Sequence, residues 1–431
     1  MGRAVQCVTS VPRFFIISIN YAPEPTGFAP HAAALAEYLA QRGHEVSVFT
    51  GFPFAPAWRR RASDRGRWFL KERTNRLTVQ RLTHFIPRQP SSVPQRLVME
   101  GSFALAGMVA MAATMAAQGR PDAILYIGAQ PAVAMAARII AGFAGRPYVV
   151  NVNDLAASAA RDVGMVGGHL HQLLEAFEFA AYRGATAASV LSRSFEEALV
   201  MHGYPRDRIQ LIRSPVDLER IRPRARDSTF RAKYGIPESA FVILQAGSMG
   251  RKQGLMNVVV AAGLAQETRL CWVLVGDGES RQTLMEAAHA AHLEDVVRFV
   301  PFQAEMDMSA MFAAADVLLL NQVASVKDAV IPSKLLMYMA AGLSVLAAVN
   351  RNSQGAEILE ESQGGVIVSP ENPQALSTAA LELAGLPRET LAAYGARNRA
   401  YAETHFDQRV ILAAHEAMLL GVADAARSSS R

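Results

Sequence analysis

Eleven short strand-like runs, most of them apolar and each followed by a loop and then by helical sequence, constrain this chain more than any other feature. In the first half they are Phe14–Ile19, Glu45–Thr50, Ala123–Ile127, Pro147–Asn151 and Ala187–Leu191. In the second half they are Phe241–Gln245, Cys271–Val275, Val297–Val300, Val317–Leu320, Ser344–Ala347 and Gly365–Val368. A strand that reads as a continuous apolar run is buried on both faces, and strands alternating with helices form parallel sheets. The expected fold class is therefore α/β, with two doubly wound Rossmann-like halves. Each half would offer a ligand crevice at the carboxyl ends of its strands.

Around Ile209–Pro223 the texture changes to Arg, Pro and Asp, and a polar helix then ends at Gly235-Ile236-Pro237. The division expected is 1–210 for the first domain, 211–395 for the second, and 396–431 for a C-terminal helix with a frayed Ser-rich tail. The cleft between the two domains would house a two-substrate reaction. Two distant cysteines, Cys7 and Cys271, form no disulfide framework or metal-ligand spacing, which fits a reducing, cytoplasmic compartment. No export signal is expected from the short run Phe14–Ile19. The span Leu97–Ala117 is long and apolar but interrupted by Glu100, and it reads as a buried core helix before it reads as a membrane span.

Charge is distributed unevenly. Residues 1–213 carry 23 Lys+Arg against 14 Asp+Glu, and the remainder carries 20 against 24. Between Trp58 and Arg96, eleven cations, among them Arg59, Arg60 and Arg61, face only Asp64 and Glu72. Such a basic half points to a polyanionic partner. An anionic membrane surface suits it, with Trp58, Trp68 and Phe69 beside the cations; a solvated basic loop is the plainer alternative. Nucleic acid is disfavoured, because no reader motif and no aromatic spacing for base stacking accompanies the charge.

Three segments of the second half carry chemistry. Leu244-Gln-Ala-Gly-Ser-Met-Gly-Arg-Lys-Gln-Gly254 follows a strand and precedes a helix. Gly247, Gly250 and Gly254 permit a tight turn around Ser248, and Arg251 and Lys252 add charge where helix amides face an anion. Val275-Gly-Asp-Gly278 forms a second strand-end turn, weak alone. Ser333 and Lys334 open a helix after Pro332; a capping serine and a surface lysine is the plainer account there, an anion site the functional one. In the first half, Thr26 and Gly27 lie in the loop Asn20–His31, and Asp154 follows Asn151 and Asn153 at a strand end. Asp154 would hold sugar hydroxyls or an acceptor, or else cap a helix. No His/Cys/Asp spacing resembles a metal site.

Ile19-Asn-Tyr-Ala-Pro-Glu-Pro-Thr-Gly27, Asn153-Asp-Leu155, Leu191-Ser-Arg-Ser194, Met249-Gly-Arg-Lys-Gln-Gly254 and Pro332-Ser-Lys-Leu335 together resemble family-four retaining glycosyltransferases of GT-B architecture. The likeness runs over nearly the whole chain and is closest to bacterial O-antigen, capsule and colanic-acid enzymes, including amino-fucose transferases. It implies a cytoplasmic, peripheral membrane enzyme without cofactor or metal, whose C-terminal helix crosses back to the first domain. The donor would be a UDP- or GDP-linked sugar and the acceptor a polyprenyl-diphosphate-linked saccharide. Arg251 and Lys252 match the family's diphosphate positions, Gly27 the loop approaching the donor, and Phe299–Gln303, with Phe302, the place where main-chain groups read the base.

Two departures stand out. Many members carry two glutamates about two helical turns apart; here the second place is Met337 and the first is Ala329, beside Asp328. Many also have a histidine where Asn151 stands. A non-catalytic GT-B partner is therefore a second expectation, and a nucleotide-sugar epimerase a third.

Overall fold

The computed structural model describes residues 11–24, 28–55, 57–90, 92–156, 168–226, 228–265, 269–303, 308–326 and 332–429. Gly27 and Asp328 lie outside the described residues. The chain forms two compact units, Met1–Arg213 with Leu412–Arg431, and Ser214–Ile411.

The first unit runs β1 (Arg13–Ile17), α1 (Ala29–Gln41), β2 (Glu45–Gly51), β3 (Phe69–Thr74), β4 (Leu77–Leu82), α2 (Val93–Gln118), β5 (Ala123–Gly128), α3 (Pro131–Ala144), β6 (Tyr148–Val152), α4 (Gly168–Arg183), β7 (Ala187–Val190), α5 (Arg193–Met201) and β8 (Ile209–Leu211). Its sheet has the order β3-β4-β2-β1-β5-β6-β7-β8, parallel except for the antiparallel pair β3–β4. The strand order reverses between β1 and β5, so the crevice of a doubly wound sheet opens there.

The β3–β4 hairpin lies inside the basic segment, where the sequence signalled cations rather than strands. β3 is Phe-Leu-Lys-Glu-Arg-Thr and almost wholly exposed. As the edge of the sheet it shows charged side chains that discourage pairing with another chain. Period-2 alternation of Leu77 and Val79 was the available signal for β4, with Asn75 at φ +51° turning the chain between the strands.

The expected core helix over Leu97–Ala117 is α2, and only one of its faces is buried. Met99, Phe103, Ala104, Gly107, Met111 and Thr114 point inward, while Leu97, Val98, Leu105 and Val109 are exposed. Among the described residues it is the one helix long and apolar enough to cross a membrane. Yet Thr114 accepts a hydrogen bond from Gln80 of β4 at 3.0 Å, so that face belongs to the unit's own core.

Glu100 lies on this helix, and burial, with the Glu178 charge beside it, pushes its carboxyl up to about 7 despite a backbone N–H from Ala132. A carboxyl raised above its unfolded value favours folding while protonated and loses that contribution as pH climbs from about 4.5 through about 7. Glu100→Gln is therefore expected to be more stable than the parent at pH 8 and no more stable at pH 4. Equal urea midpoints at pH 8 would remove Glu100 as the cause.

The second unit runs α6 (Ser228–Lys233), β9 (Phe241–Ala246), α7 (Met256–Leu264), β10 (Leu270–Val275), α8 (Arg281–Ala290), β11 (Val297–Val300), α9 (Met308–Ala313), β12 (Val317–Asn321), α10 (Ser333–Ala340), β13 (Ser344–Ala348), α11 (Gln354–Ser362), β14 (Gly365–Val368), α12 (Pro373–Gly385) and α13 (Arg388–His405). Its all-parallel sheet has the order β11-β10-β9-β12-β13-β14, reversing between β9 and β12. Apolar clusters cover both faces, one around Val242, Leu318, Tyr338 and Phe406, the other around Ile243, Trp272, Leu319 and Leu383. Each fully buried side chain of this size contributes about 1.5–3 kcal/mol.

A last helix, α14 (Gln408–Ser429), starts after Phe406-Asp407, where Val216 pairs with the chain and stops α13. From Leu412 onward it belongs to the first unit. Glu416 fastens it there: His44 lies 2.8 Å from its carboxylate, Tyr38 donates at 3.0 Å and Arg42 at 3.3 Å. Burial alone would raise the Glu416 pKa, but these donors outweigh it and hold the carboxyl below the ordinary value.

Candidate active site

In the second unit, three of the expected segments meet at the carboxyl ends of β9, β10 and β12, beside the reversal of strand order. The turn after β9 stacks on the turn after β10: Gly247 N–H donates to Val275 O at 2.8 Å and Met249 N–H to Asp277 O at 2.8 Å. This contact needs glycine. Gly276 has φ +136°, and a Cβ there would lie 2.0 Å from the Gly247 carbonyl oxygen. Gly250, by contrast, is extended at φ −89°, so its lack of a side chain is not a backbone requirement.

Lys334 sits differently from the surface lysine that the plainer account allowed. Pro332 occupies the cap position of α10, where it offers no side-chain cap bond, and Ser333 is the first helical residue rather than the cap. Lys334 is half-buried and reaches under the β9 turn, where its ammonium donates to Gln253 Oε1 at 2.9 Å and to Ser248 O at 3.4 Å. A Cβ on Gly247 would lie 2.7 Å from Lys334 Cε, so that glycine also makes room for the lysine. Burial pushes the Lys334 ammonium down to about 8.

Arg251 and Lys252 form a short 3-10 turn with Gln253, and both side chains are exposed. The loop is braced from behind: Asn321 donates to Gln253 O at 2.7 Å and to Gly254 O at 3.1 Å, and Asn257 donates to Asn321 at 2.9 Å. The buried Asn257 and Asn321 had no signal in the sequence, since a single Asn in a helix or at a strand end reads as a solvated residue. Beside the loop is a cavity of about 450 Å³ lined by Gly250, Arg251, Leu255, Met256, Glu279 and Ser280.

Glu279 places a carboxylate at this mouth, accepting from Arg251 N–H at 3.2 Å and lying 3.6 Å from Arg251 Nε. The pair is exposed and adds little stability. It does occupy the backbone donor and the guanidinium that this loop would otherwise offer to an anion. Glu279→Gln is expected to bind inorganic pyrophosphate several-fold more tightly by calorimetric titration, because the competing charge is removed. Binding that weakens instead would make Glu279 a ligand contact rather than a competitor.

Phe302 follows β11 and is 70% exposed, with Gln303 bonded to Tyr234 and to Pro301 O. Met337 is half-buried and packs against the apolar cluster under the sheet.

In the first unit, Asp154 is half-buried just past β6, and its Oδ1 accepts from Leu155 N–H at 2.9 Å. The next N–H, of Ala156, donates to the buried Glu178 at 2.8 Å, and Tyr182 donates to that same oxygen at 3.0 Å. Glu178 thus sets the course of the loop carrying Asp154. Asn151 is wholly buried. Its amide donates to Ser189 Oγ at 2.7 Å and lies 3.1 Å from His415 Nε2 of α14, while Asn153 donates to its carbonyl.

The basic segment is only partly solvated. Arg59 and Arg61 are exposed, but the Arg60 guanidinium lies 4.1 Å from the centre of the Phe52 ring. Trp58 packs between the Phe54 ring at 5.6 Å and the Arg96 guanidinium at 5.5 Å. Trp68 is 78% exposed. Among the described residues no three His, Cys, Asp or Glu side chains gather as a metal-ligand group.

Two doubly wound units, one with cations and glycine turns gathered at its strand ends, define the GT-B fold. Superposition supports this: sucrose-phosphate synthase from Thermosynechococcus elongatus matches with a TM-score of 0.70 at 18% identity, covering 96% of this chain and 100% of that one. Anabaena HepE in complex with UDP matches with a TM-score of 0.66 at 17% identity, covering 95% and 100%. The family model for the glycosyl transferase 4-like domain matches residues 26–215, and that for glycosyl transferases group 1 matches residues 227–400. The chain belongs to these glycosyltransferases. It is similar to a protein of Escherichia coli (strain K12) described as the colanic acid biosynthesis glycosyl transferase WcaI, 28% identical over 407 residues, 93% of this chain and 98% of that one.

Proposed function

We propose that this chain is a retaining, metal-independent hexosyltransferase of exopolysaccharide assembly, moving a sugar from a UDP- or GDP-linked donor to a polyprenyl-diphosphate-linked saccharide. The observation that carries the reading is Lys334 held half-buried beneath the Gly247–Gly254 turn, with Arg251 and Lys252 on its rim. Three cations at one strand-end loop suit a leaving diphosphate, whose charge grows as the sugar departs. Asp154 takes the role of holding a sugar or acceptor hydroxyl. The relative described by its role in colanic acid biosynthesis supports the polysaccharide context, and HepE, solved in complex with UDP, supports a nucleotide-linked donor. We place the enzyme in the cytoplasm at the inner face of the membrane, its basic segment toward anionic lipid.

Thermal-shift screening against UDP, GDP and their sugar conjugates tests the donor half, since a ligand bound by the native state alone must stabilise it. An upward shift with one nucleotide names the donor class; no shift with any refutes a working donor site. The buried Asn151, occupied by Ser189 and His415 rather than offered to a sugar, favours a second reading as a non-catalytic partner. Tight donor binding with no turnover on any lipid acceptor would select it.

Lys334 adds a pH dependence. Its folded pKa of about 8 lies below the ordinary 10.5, and a bound diphosphate favours the charged form. Affinity for the nucleotide is therefore expected to fall as pH rises through about 8, and to stay flat in Lys334→Met. A parent protein with pH-independent affinity between pH 7 and pH 9 would show that Lys334 does not meet the ligand.

A further inference from the structure

The cavity of about 700 Å³ between the β3–β4 hairpin and α2 has a wall that is apolar almost throughout. Trp68, Phe69 and Leu82 supply one side, and Leu105, Val109 and Ala110 of α2 the other. Trp68 is 78%, Leu105 65% and Val109 63% exposed, so this is an open groove rather than a core void. Large apolar side chains gathered on a surface in this way mark a place where something apolar binds.

One end of the groove is cationic. Thr83, in its wall, accepts from Arg60 Nη2 at 3.3 Å. The Arg60 Nε is buried and has no acceptor among the described residues. From His84 in the groove wall, ring contacts run to the buried Phe54 at 5.1 Å and on to Trp58 at 5.6 Å, with Arg96 over Trp58. Burial lowers His84 to about 4, so it stays neutral near pH 7 and leaves the arginines as the charge at that end. The arrangement is complementary to an amphiphile with an anionic head and a long hydrocarbon chain.

We infer that this groove is the subsite for the prenyl chain of a lipid-phosphate acceptor, the chain lying between Trp68 and α2 and its phosphate toward Arg60 and Arg96. The inference rests on the acceptor class proposed above and assigns it a place. It gives the exposed face of α2 an occupant and makes Trp68 and Phe69 chain contacts rather than headgroup contacts. The Thr114 bond to Gln80, which lines the groove, ties α2 to β4 there.

Farnesyl phosphate, a soluble short-chain probe, tests this on the full chain by equilibrium dialysis and by tryptophan emission. Saturable binding with a blue shift is expected, and Trp68→Phe should lose most of the shift while keeping the binding. Ala110→Phe fills the groove and should weaken binding at least tenfold. Arg60→Gln should weaken farnesyl phosphate but leave farnesol unaffected. Retained thermal transitions and an unchanged response to UDP or GDP show that the variants fold, so a dead groove and a dead donor site are told apart. Absence of saturable binding, or binding indifferent to Ala110→Phe, overturns the assignment. So does loss of binding to phosphatidylglycerol vesicles by Ala110→Phe in step with farnesyl phosphate, which would make the face a bilayer contact and not a single-chain subsite.

Discussion

Replacing Lys252 by alanine is expected to slow sugar transfer on the order of 100-fold, with little effect on the fold. The argument is electrostatic. Lys252 is exposed at the turn after β9, so its removal leaves no cavity and no stranded buried partner. In the reaction proposed above its charge becomes valuable only as the donor's diphosphate departs, which makes the expected loss appear in kcat more than in KM. Lys334, held beneath the same turn, is a different case, because its ammonium also bridges Gln253 and Ser248 O and its loss would loosen the loop. Steady-state kinetics beside a thermal melt separate the two. Turnover unchanged in Lys252→Ala would remove the cationic loop from the mechanism.

The second large effect concerns the backbone. Gly276→Ala is expected to destabilise the second unit and to abolish nucleotide binding together. Alanine at φ +136° is strained by about 1–3 kcal/mol, and the added Cβ would stand 2.0 Å from the Gly247 carbonyl. That neighbour is backbone, so the two turns must part, at roughly another 1–3 kcal/mol. For a unit of this size the sum lowers the melting temperature by roughly 5–20 °C. Gly235→Ala is the control: its φ is +63° with nothing within 4 Å of the new Cβ, so only the conformational strain applies. Equal shifts for the two variants would show that the stacked turns do not depend on close approach.

Much of this architecture is legible without coordinates, and particular elements show why. Runs such as Val242–Leu244 and Leu318–Leu320 are apolar at successive positions because both faces of a central parallel strand are covered. The turns at Gly247–Gly254 and Gly276–Gly278 are legible for a related reason, since strand, glycine and helix follow one another in the order an anion loop needs. The β3–β4 hairpin was hidden because an exposed edge strand is built from charged residues, which in a sequence resemble a solvated loop.

Composition and order along the chain thus determined the α/β class, the two halves, and the cationic loops at the strand ends, because local propensity and apolar periodicity are properties of neighbouring residues. What only the tertiary structure decided are meetings between residues far apart. Lys334 is a surface lysine by sequence and a half-buried support of the β9 turn in the fold, 81 residues from its partner Gln253. Asn151 is a strand-end residue by sequence, yet it is enclosed by Ser189 and by His415, 264 residues away. The apolar positions of α2 look alike in the sequence, and packing against α3, β2 and β4 decided which of them form core and which line an open groove. The physical reason is the same in each case: burial and hydrogen bonding act through space, and the chain's order does not encode which distant surface a side chain will meet.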